Sequence, residues 1–287
     1  MAQFRLGCSA IRWSREAEWE NILDKIADIG YEGTEVQQAF QADSDAGVEK
    51  IKQQLASRNL IGTTVYIAGA YYDSAKAETC LANVRQGCER MKALDGEIIV
   101  VAASGGPTRT ACAGAVKSAD MLTDDQFKVL AETLNKAGEI CKGYGMTACY
   151  HNHAATFVES PDEIDRLMEM TSPDLLALNP DTGHLCVGGY DCVEFVKKYA
   201  PRIKYVHLKS CNAAELKKLR AKKIDWMGFA RGNGWAELRD GCIDLPAVFG
   251  ELKKASYDGW LMVEQDNSPN PPDVAAENNF AFLKEVV

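Results

Sequence analysis

Apolar and polar positions along this chain follow two periods, and the periods take turns. Short runs that are mostly apolar, EIIVVAAS (97–104) the clearest of them, are separated by longer stretches in which apolar residues return every three or four positions. In EAEWENILDKIADIG (16–30), Trp19, Ile22, Leu23, Ile26 and Ile29 fall on one helical face, and Gly30 stands where a helix C-terminal glycine belongs. The same rhythm predicts eight strands, over 4–10, 33–36, 62–69, 97–104, 146–151, 175–181, 203–210 and 259–266. It predicts eight helices after them, over 16–30, 45–60, 74–94, 123–145, 160–170, 191–200, 244–256 and 271–286. Two helices carry explicit start signals: Thr123 ahead of Asp124 and Asp125, and Ser160-Pro161-Asp162-Glu163.

Strands that are apolar throughout are covered on both faces, so eight strand–helix units of this kind predict a closed parallel (β/α)8 TIM barrel. A doubly wound open sheet would want a glycine-rich phosphate turn after its first strand, and GCSAIRW supplies none. No linker, repeat or low-complexity tract divides residues 1–287, which are read as one domain. One segment departs from the pattern. CNAAELKKLRAKKIDWMGFARGNGWAELRDGCID (211–244), between the seventh strand and its helix, is too long for an ordinary loop. Its Trp226, Phe229 and Trp235 are expected to cover the site or to meet a second copy of the chain, which would make the protein a homo-oligomer.

A net charge of −9 makes nucleic acid and anionic membranes poor partners. No apolar run reaches the ~18–20 residues of a membrane span, and MAQFRLGCSAIRW lacks the pattern of a secretory signal. A cytoplasmic protein is expected. There the ten scattered cysteines, with no CxxC pair, would be free thiols.

Histidine is scarce, and its placement is not even. His151 and His153 stand in ACYHNHAATF (148–157), His184 in LNPDTGHL and His207 in YVHLKS, each at or just past a predicted strand end. Glu35, Asp181, Lys209 and Glu264 fall at strand ends too. Barrel chemistry occurs on that carboxyl-end rim. Alternate strand residues share a face, so His151 and His153 can look into one cavity, as can His207 and Lys209. Each residue alone has an ordinary explanation: a hydrogen-bonded core histidine, an aspartate capping a turn, a surface ion pair. Gathered on consecutive strands, they would repel or lose solvation unless a cation neutralised them. Two imidazoles and two carboxylates suit Mn²⁺, Co²⁺, Fe²⁺, Zn²⁺ or, less well, Mg²⁺.

With LGCSAIRWS, GYEGTEV, YHNHAAT, DEIDRLM, DTGHL, PRIKYVHLKS, LRAKKIDWM, DGCIDLPAVF and YDGWLMVEQD in view, nearly the whole chain resembles the xylose-isomerase-like barrel superfamily of sugar isomerases, epimerases and dehydratases. Within it the chain is most similar to the inosose (2-keto-myo-inositol) dehydratases. The resemblance implies one divalent metal ion, Mn²⁺ or Co²⁺ before the others, held by His151, Asp181, His207 and Glu264. It implies an acid/base pair of His153 and His184. Many isomerases and epimerases of the superfamily have Glu where His151 stands, and a metal-bound imidazole has no lone pair left to act as a second base. Loss of water from a small polyhydroxylated ketone, through an enediolate, is therefore favoured over epimerisation. In that chemistry Lys209 is expected to face the developing oxyanion, Glu35 to fix a substrate hydroxyl and Trp13 either to cover a ring face or to pack in the core. The loops around YIAGAYYDS and over 104–120 are expected to shape the substrate pocket. A sugar (phosphate) isomerase or epimerase on the same scaffold is the alternative. A binding protein is disfavoured by the intact acid/base pair, and a damage-specific endonuclease by the charge.

Overall fold

The computed structural model describes residues 4–13 and 17–287; the expected helix start at Glu16, and Ser14 of LGCSAIRWS, lie outside them. Eight strand positions close a parallel barrel. The first is Arg5–Cys8, the second Gly33–Thr34, the fourth Ile98–Ala103, the fifth Thr147–His151, the sixth Leu176–Asn179, the seventh Tyr205–Leu208 and the eighth Trp260–Val263. The third is two pieces, Ile61–Gly62 and Tyr66–Gly69, where one run over 62–69 was expected. The break has a cause in pairing. The first piece pairs with the second strand and the second piece with the fourth. Between them Thr64 turns its Oγ1 to donate to the carbonyl of Ile98 at 2.9 Å. Parallel bridges from Leu178 to Ile203 and from Asp181 to His207 join the sixth strand to the seventh and complete the circle.

The outer ring is Trp19–Ile29, Asp45–Ala56, Ala77–Ala93, Asp124–Gly143, Pro161–Met170, Cys192–Tyr199, Leu245–Lys254 and Pro272–Val286. Caps set their ends. Thr123 and Gln126 exchange side-chain-to-backbone bonds, and Gly30 ends the first helix at φ 106°. Five short helices sit in the loops of the carboxyl rim, where the pattern had shown only loop: Gln37–Gln41, Pro107–Cys112, Thr182–Gly188, Ala213–Arg220 and Trp226–Ala230. No helix among the described residues is long and apolar enough to cross a membrane.

Two apolar layers follow the barrel, and a further cluster gathers on the rim around Trp226, Phe229 and Trp235. The larger layer lies between strands and helices. The smaller fills the barrel and consists of Val100, Cys149, Ala177, Tyr205, Trp260 and Met262. Its members are in register: Val100 pairs with Cys149, Cys149 with Ala177 and Tyr205 with Trp260. Side chains two residues further along each strand share that inward face, one layer nearer the carboxyl rim.

The outer layer is tight enough to require glycine. A Cβ on Gly138, in the fourth long helix, would lie 2.2 Å from the carbonyl oxygen of Leu175, a backbone atom that has no rotamer to escape by. Gly138→Ala is expected to destabilise by on the order of 1–3 kcal/mol through overpacking, against the small gain in helix propensity. Denaturant unfolding measures it, and an unchanged midpoint would show that the helix can slide outward freely.

Candidate metal and acid–base site

Two steps beyond the inner apolar layer, the barrel's lining turns polar. Cys149 is followed on its face by His151 and His153, Tyr205 by His207 and Lys209, and Met262 by Glu264 and Asp266. All of these but His153 and Asp266 are buried. Asp181 arrives differently. It is the N-cap of the helix Thr182–Gly188, its Oδ1 accepting from the His184 amide at 2.7 Å, and it is fully buried. Capping uses one carboxylate oxygen and leaves Oδ2 turned into the barrel mouth.

The four expected ligands meet there. His207 Nδ1 lies 2.5 Å from Glu264 Oε2 and 3.9 Å from Asp181 Oδ2, and the His151 and His207 rings are centred 4.8 Å apart. Asp181 Oδ2 and His207 Nδ1 are both buried against charged neighbours, His207 Nδ1 against Glu264 and Asp181 Oδ2 against Lys209 Nζ at 3.5 Å. Buried charges are costly unless balanced, and a cation among these carboxylates would balance them. The surroundings suit that use. His207 Nε2 is held by Glu35 Oε1 at 2.8 Å, and His151 Nδ1 faces the Asn179 amide at 3.4 Å. Each ring thus has one nitrogen oriented by a neighbour and the other directed to the centre, the arrangement found around metal-bound imidazoles. By distance, the residues that could hold an ion form two sets among the described residues, His151 with Asp181 and His184, and Glu35 with His207 and Glu264. The expected four are drawn from both sets, His151 and Asp181 from the first and His207 and Glu264 from the second.

Lys209 is fully buried among the carboxylates, its Nζ 2.7 Å from Asp266, 3.0 Å from Glu264 and 3.5 Å from Asp181. Burial alone would lower its pKa, but those three anions hold it well above the ordinary lysine value. Burial also lowers His207, yet Glu35 and Glu264 outweigh it and push the imidazole up to about 10. Burial lifts Asp181 to about 6 despite Lys209. The remaining histidines go the other way: desolvation holds His151 and His184 well below the usual imidazole range and lowers His153 as well.

His153 and His184 stack at 3.8 Å between ring centres. A backbone carbonyl sets the proton of the first. His153 Nδ1 is 2.6 Å from the Ala154 carbonyl, which can only accept, so Nδ1 carries the hydrogen and Nε2 the lone pair. His184 is approached by donors on both sides, the Ala154 amide 3.2 Å from Nδ1 and the Lys209 ammonium 3.2 Å from Nε2, and a neutral ring can accept from only one of them. Gly183 makes that approach possible, because a Cβ there would meet the Lys209 stem at 2.7 Å. The long excursion lies on this side. Trp226 is centred 6.3 Å from His153 and 6.2 Å from His184, and Trp235 5.1 Å from His184. A cavity of about 360 Å³ opens in front of the cluster, lined in part by Glu35, Gln38, Tyr66, His153 and Asp266.

Trp13 does not reach it. The turn Ala10–Arg12 carries the ring into the outer core, 3 % exposed, where Nε1 donates to Asp273 of the last helix. Of its two expected places, over a substrate ring or in the core, Trp13 takes the second. Glu35 does line the cavity but is engaged by His207. Asp266 and Asn179 were not anticipated. Both follow from the two-residue period, as the next inward positions after Glu264 and Ala177. Asn152, between the paired histidines, was missed as well; its Oδ1 accepts from the Asp181 amide at 3.0 Å.

A buried imidazole–carboxylate cluster on the carboxyl rim of a closed (β/α)8 barrel marks an enzyme with a candidate metal centre. The family described as "Xylose isomerase-like TIM barrel" matches residues 23–286, and the chain belongs to it. An inosose dehydratase of Geobacillus kaustophilus is 33% identical over 282 residues, 93% of this chain and 88% of its own length. One from Clostridium beijerinckii is 31% identical over 98% of this chain and 96% of its own. Among solved structures, one described as "IOLI protein with a binding zinc atom" has a TM-score of 0.75 at 15% identity, covering 99% of this chain and 96% of that one.

The elevated His207 value gives a test of the cluster without substrate. In metal-free protein His207 keeps its proton from the ordinary histidine range up to about 10, and the stability its charge contributes is present below the unfolded value and lost as pH rises through that higher one. A ligand nitrogen must be deprotonated. Uptake of Mn²⁺ or Zn²⁺ at neutral pH is therefore expected to release about one proton. Calorimetry in buffers of different ionisation enthalpy counts it; release of none would remove His207 from the ligand set.

Proposed function

We propose that this enzyme removes water from a keto-cyclitol, 2-keto-myo-inositol or a close keto-sugar, with one divalent ion held by His151, Asp181, His207 and Glu264. The observation that carries the reading is the convergence of Asp181 Oδ2, His207 Nδ1 and Glu264 Oε2, buried at the barrel mouth, beside the neighbouring imidazoles of His153 and His184. The inosose dehydratase names of the full-length relatives support the substrate class, and the zinc in a protein of the same fold supports a metal.

A divalent ion at this centre supplies Lewis acidity that makes the C–H beside a chelated ketone acidic. The chain's own residues do the rest. His153 Nε2, with its lone pair and its place on the cavity, takes the proton. Desolvation keeps the ring neutral and ready to accept it. His184 passes a proton to the β-hydroxyl as the C–O bond breaks, drawing it from the His153 imidazolium whose ring centre is 3.8 Å away. One proton leaves carbon and one joins the hydroxyl, so water departs and the pair as a whole keeps its protons. Lys209 provides fixed positive charge beside the carboxylates, and Trp226 and Trp235 exclude water from the imidazole pair.

His153→Ala and His184→Ala are expected to keep the bound metal and lose about 10²–10⁴-fold in turnover, whereas His151→Ala loses metal. Mass spectrometry of product formed in deuterated water decides the reaction. Loss of one water supports the dehydratase. A product of unchanged formula carrying one solvent deuterium on carbon would make the enzyme an isomerase or epimerase.

A further inference from the structure

Next to the catalytic rim, but outside the cavity, three charged side chains are buried together. Arg109 is 0 % exposed, Glu163 0 % and Glu159 1 %. Arg109 stands on the short helix Pro107–Cys112, inside the loop over 104–120 that was expected to touch substrate. Its guanidinium points inward. Nε donates to the Thr156 carbonyl at 2.8 Å, Nη1 to the Asp120 carbonyl at 3.1 Å and Nη2 to Glu163 Oε2 at 2.9 Å. Glu163 Oε2 also accepts from the amides of Glu159 and Ser160 and from the Ser160 hydroxyl. Glu159 stands apart from this exchange. Its Oε2 is 3.9 Å from Arg109, and it spends its oxygens on two backbone amides, Oε1 on Gly114 and Oε2 on Ala155, each at 2.7 Å.

Those two amides belong to different rim loops, and the second loop is the one that carries the acid/base pair. His153 and Ala154 precede Ala155 directly. Ala154 holds both imidazoles, its carbonyl against His153 Nδ1 and its amide on His184 Nδ1. The turn does not hold this shape by preference. Ala155 has φ 64° and the β-branched Val158 φ 66°, backbone that side chains of these types rarely adopt. Something must over-determine it. Thr156 contributes by donating to the His153 carbonyl at 2.7 Å. Only Glu159 reaches the Ala155 amide, in the left-handed residue itself.

We propose that Glu159 is a positioning residue for the acid/base pair: its carboxylate, braced by Arg109 and Glu163, fixes the 153–158 turn so that Ala154 presents His153 and His184 to each other. The inference rests on the acid/base reading of those histidines. A carboxylate suits the position because two N–H donors converge on it. An amide offers a single acceptor oxygen, and its NH₂ would oppose the second donor. Burial without a full ion pair is the cost, and it lifts the Glu159 carboxyl to about 7.

The test compares E159Q with S160A in the metal-loaded full chain. Ser160 belongs to the same buried cluster but bonds only to Glu163, so its loss controls for general destabilisation. E159Q is expected to lower kcat on a keto-cyclitol tenfold or more, with KM and metal content unchanged, while S160A keeps kcat within twofold. The four histidine rings give a second, substrate-free measurement by nitrogen-15 NMR. In E159Q the His153 and His184 signals should move and those of His151 and His207 should stay. Wild-type protein that turns over no keto-polyol would refute the dehydratase reading and leave this measurement standing. An E159Q protein with wild-type kcat, or with unmoved His153 and His184 signals, would overturn the positioning role, as would an equal loss of kcat in S160A.

Discussion

The two-residue period of a β-strand, closed into a barrel, is the constraint on which the site depends. Once Cys149, Tyr205 and Met262 are fixed as inward-facing apolar residues, the identity of the next inward position is decided by geometry. His151, His207 and Glu264 have no freedom to face elsewhere. Registration between strands does the rest. His151 pairs with Asn179 and His207 with Met262, and the Asp181–His207 bridge closes the ring at the level where the ligand atoms meet. A one-residue slip in any of these strands would exchange a ligand for an apolar neighbour from the outer face.

Charge balance explains why the polar layer is tolerable. Glu35, Asp181, Glu264 and Asp266 crowd one mouth, against Lys209 and a histidine raised by its neighbours. Glu35 and Glu264, on either side of His207, favour its protonated form, which balances them. A divalent ion held there would bring more positive charge to the same carboxylates, and His207 would then not need that proton. Lys209 remains useful in both states because Asp266 and the carboxyl rim keep it charged. Three of the barrel's last inward positions are therefore parts of one electrostatic unit rather than separate ligands.

The sequence made the barrel and this inner layer legible because both are written in periodicity. Continuous apolar runs mark strands covered on both faces, and a histidine or carboxylate at the end of such a run marks the rim. What escaped was what has no period. The third strand's break at Thr63 and Thr64 depends on which neighbours it pairs with, and those lie far away in sequence. Trp13 looked like a rim residue by position, but a single short turn sends it to Asp273 in the last helix. Arg109 lay in a loop read as substrate-facing, and nothing local says that its guanidinium turns inward to Glu163.

The escaped residues are the ones that decide how the rim loops are held. In a barrel of this kind the strands deliver ligands with little help, since their direction is inherited from the core. A loop has no such inheritance. His153 lies just beyond its strand and His184 on a seven-residue helix, so their mutual geometry must be imposed by contacts that cross between loops. A single residue, Ala154, touches both rings through its backbone. A left-handed alanine follows it, and a buried carboxylate with two amides to satisfy holds that alanine in place. The site thus has three kinds of order. His151, His207 and Glu264 are positioned by the strand period, Asp181 by its helix cap, and His153 and His184 by contacts that pass through the Ala154 backbone.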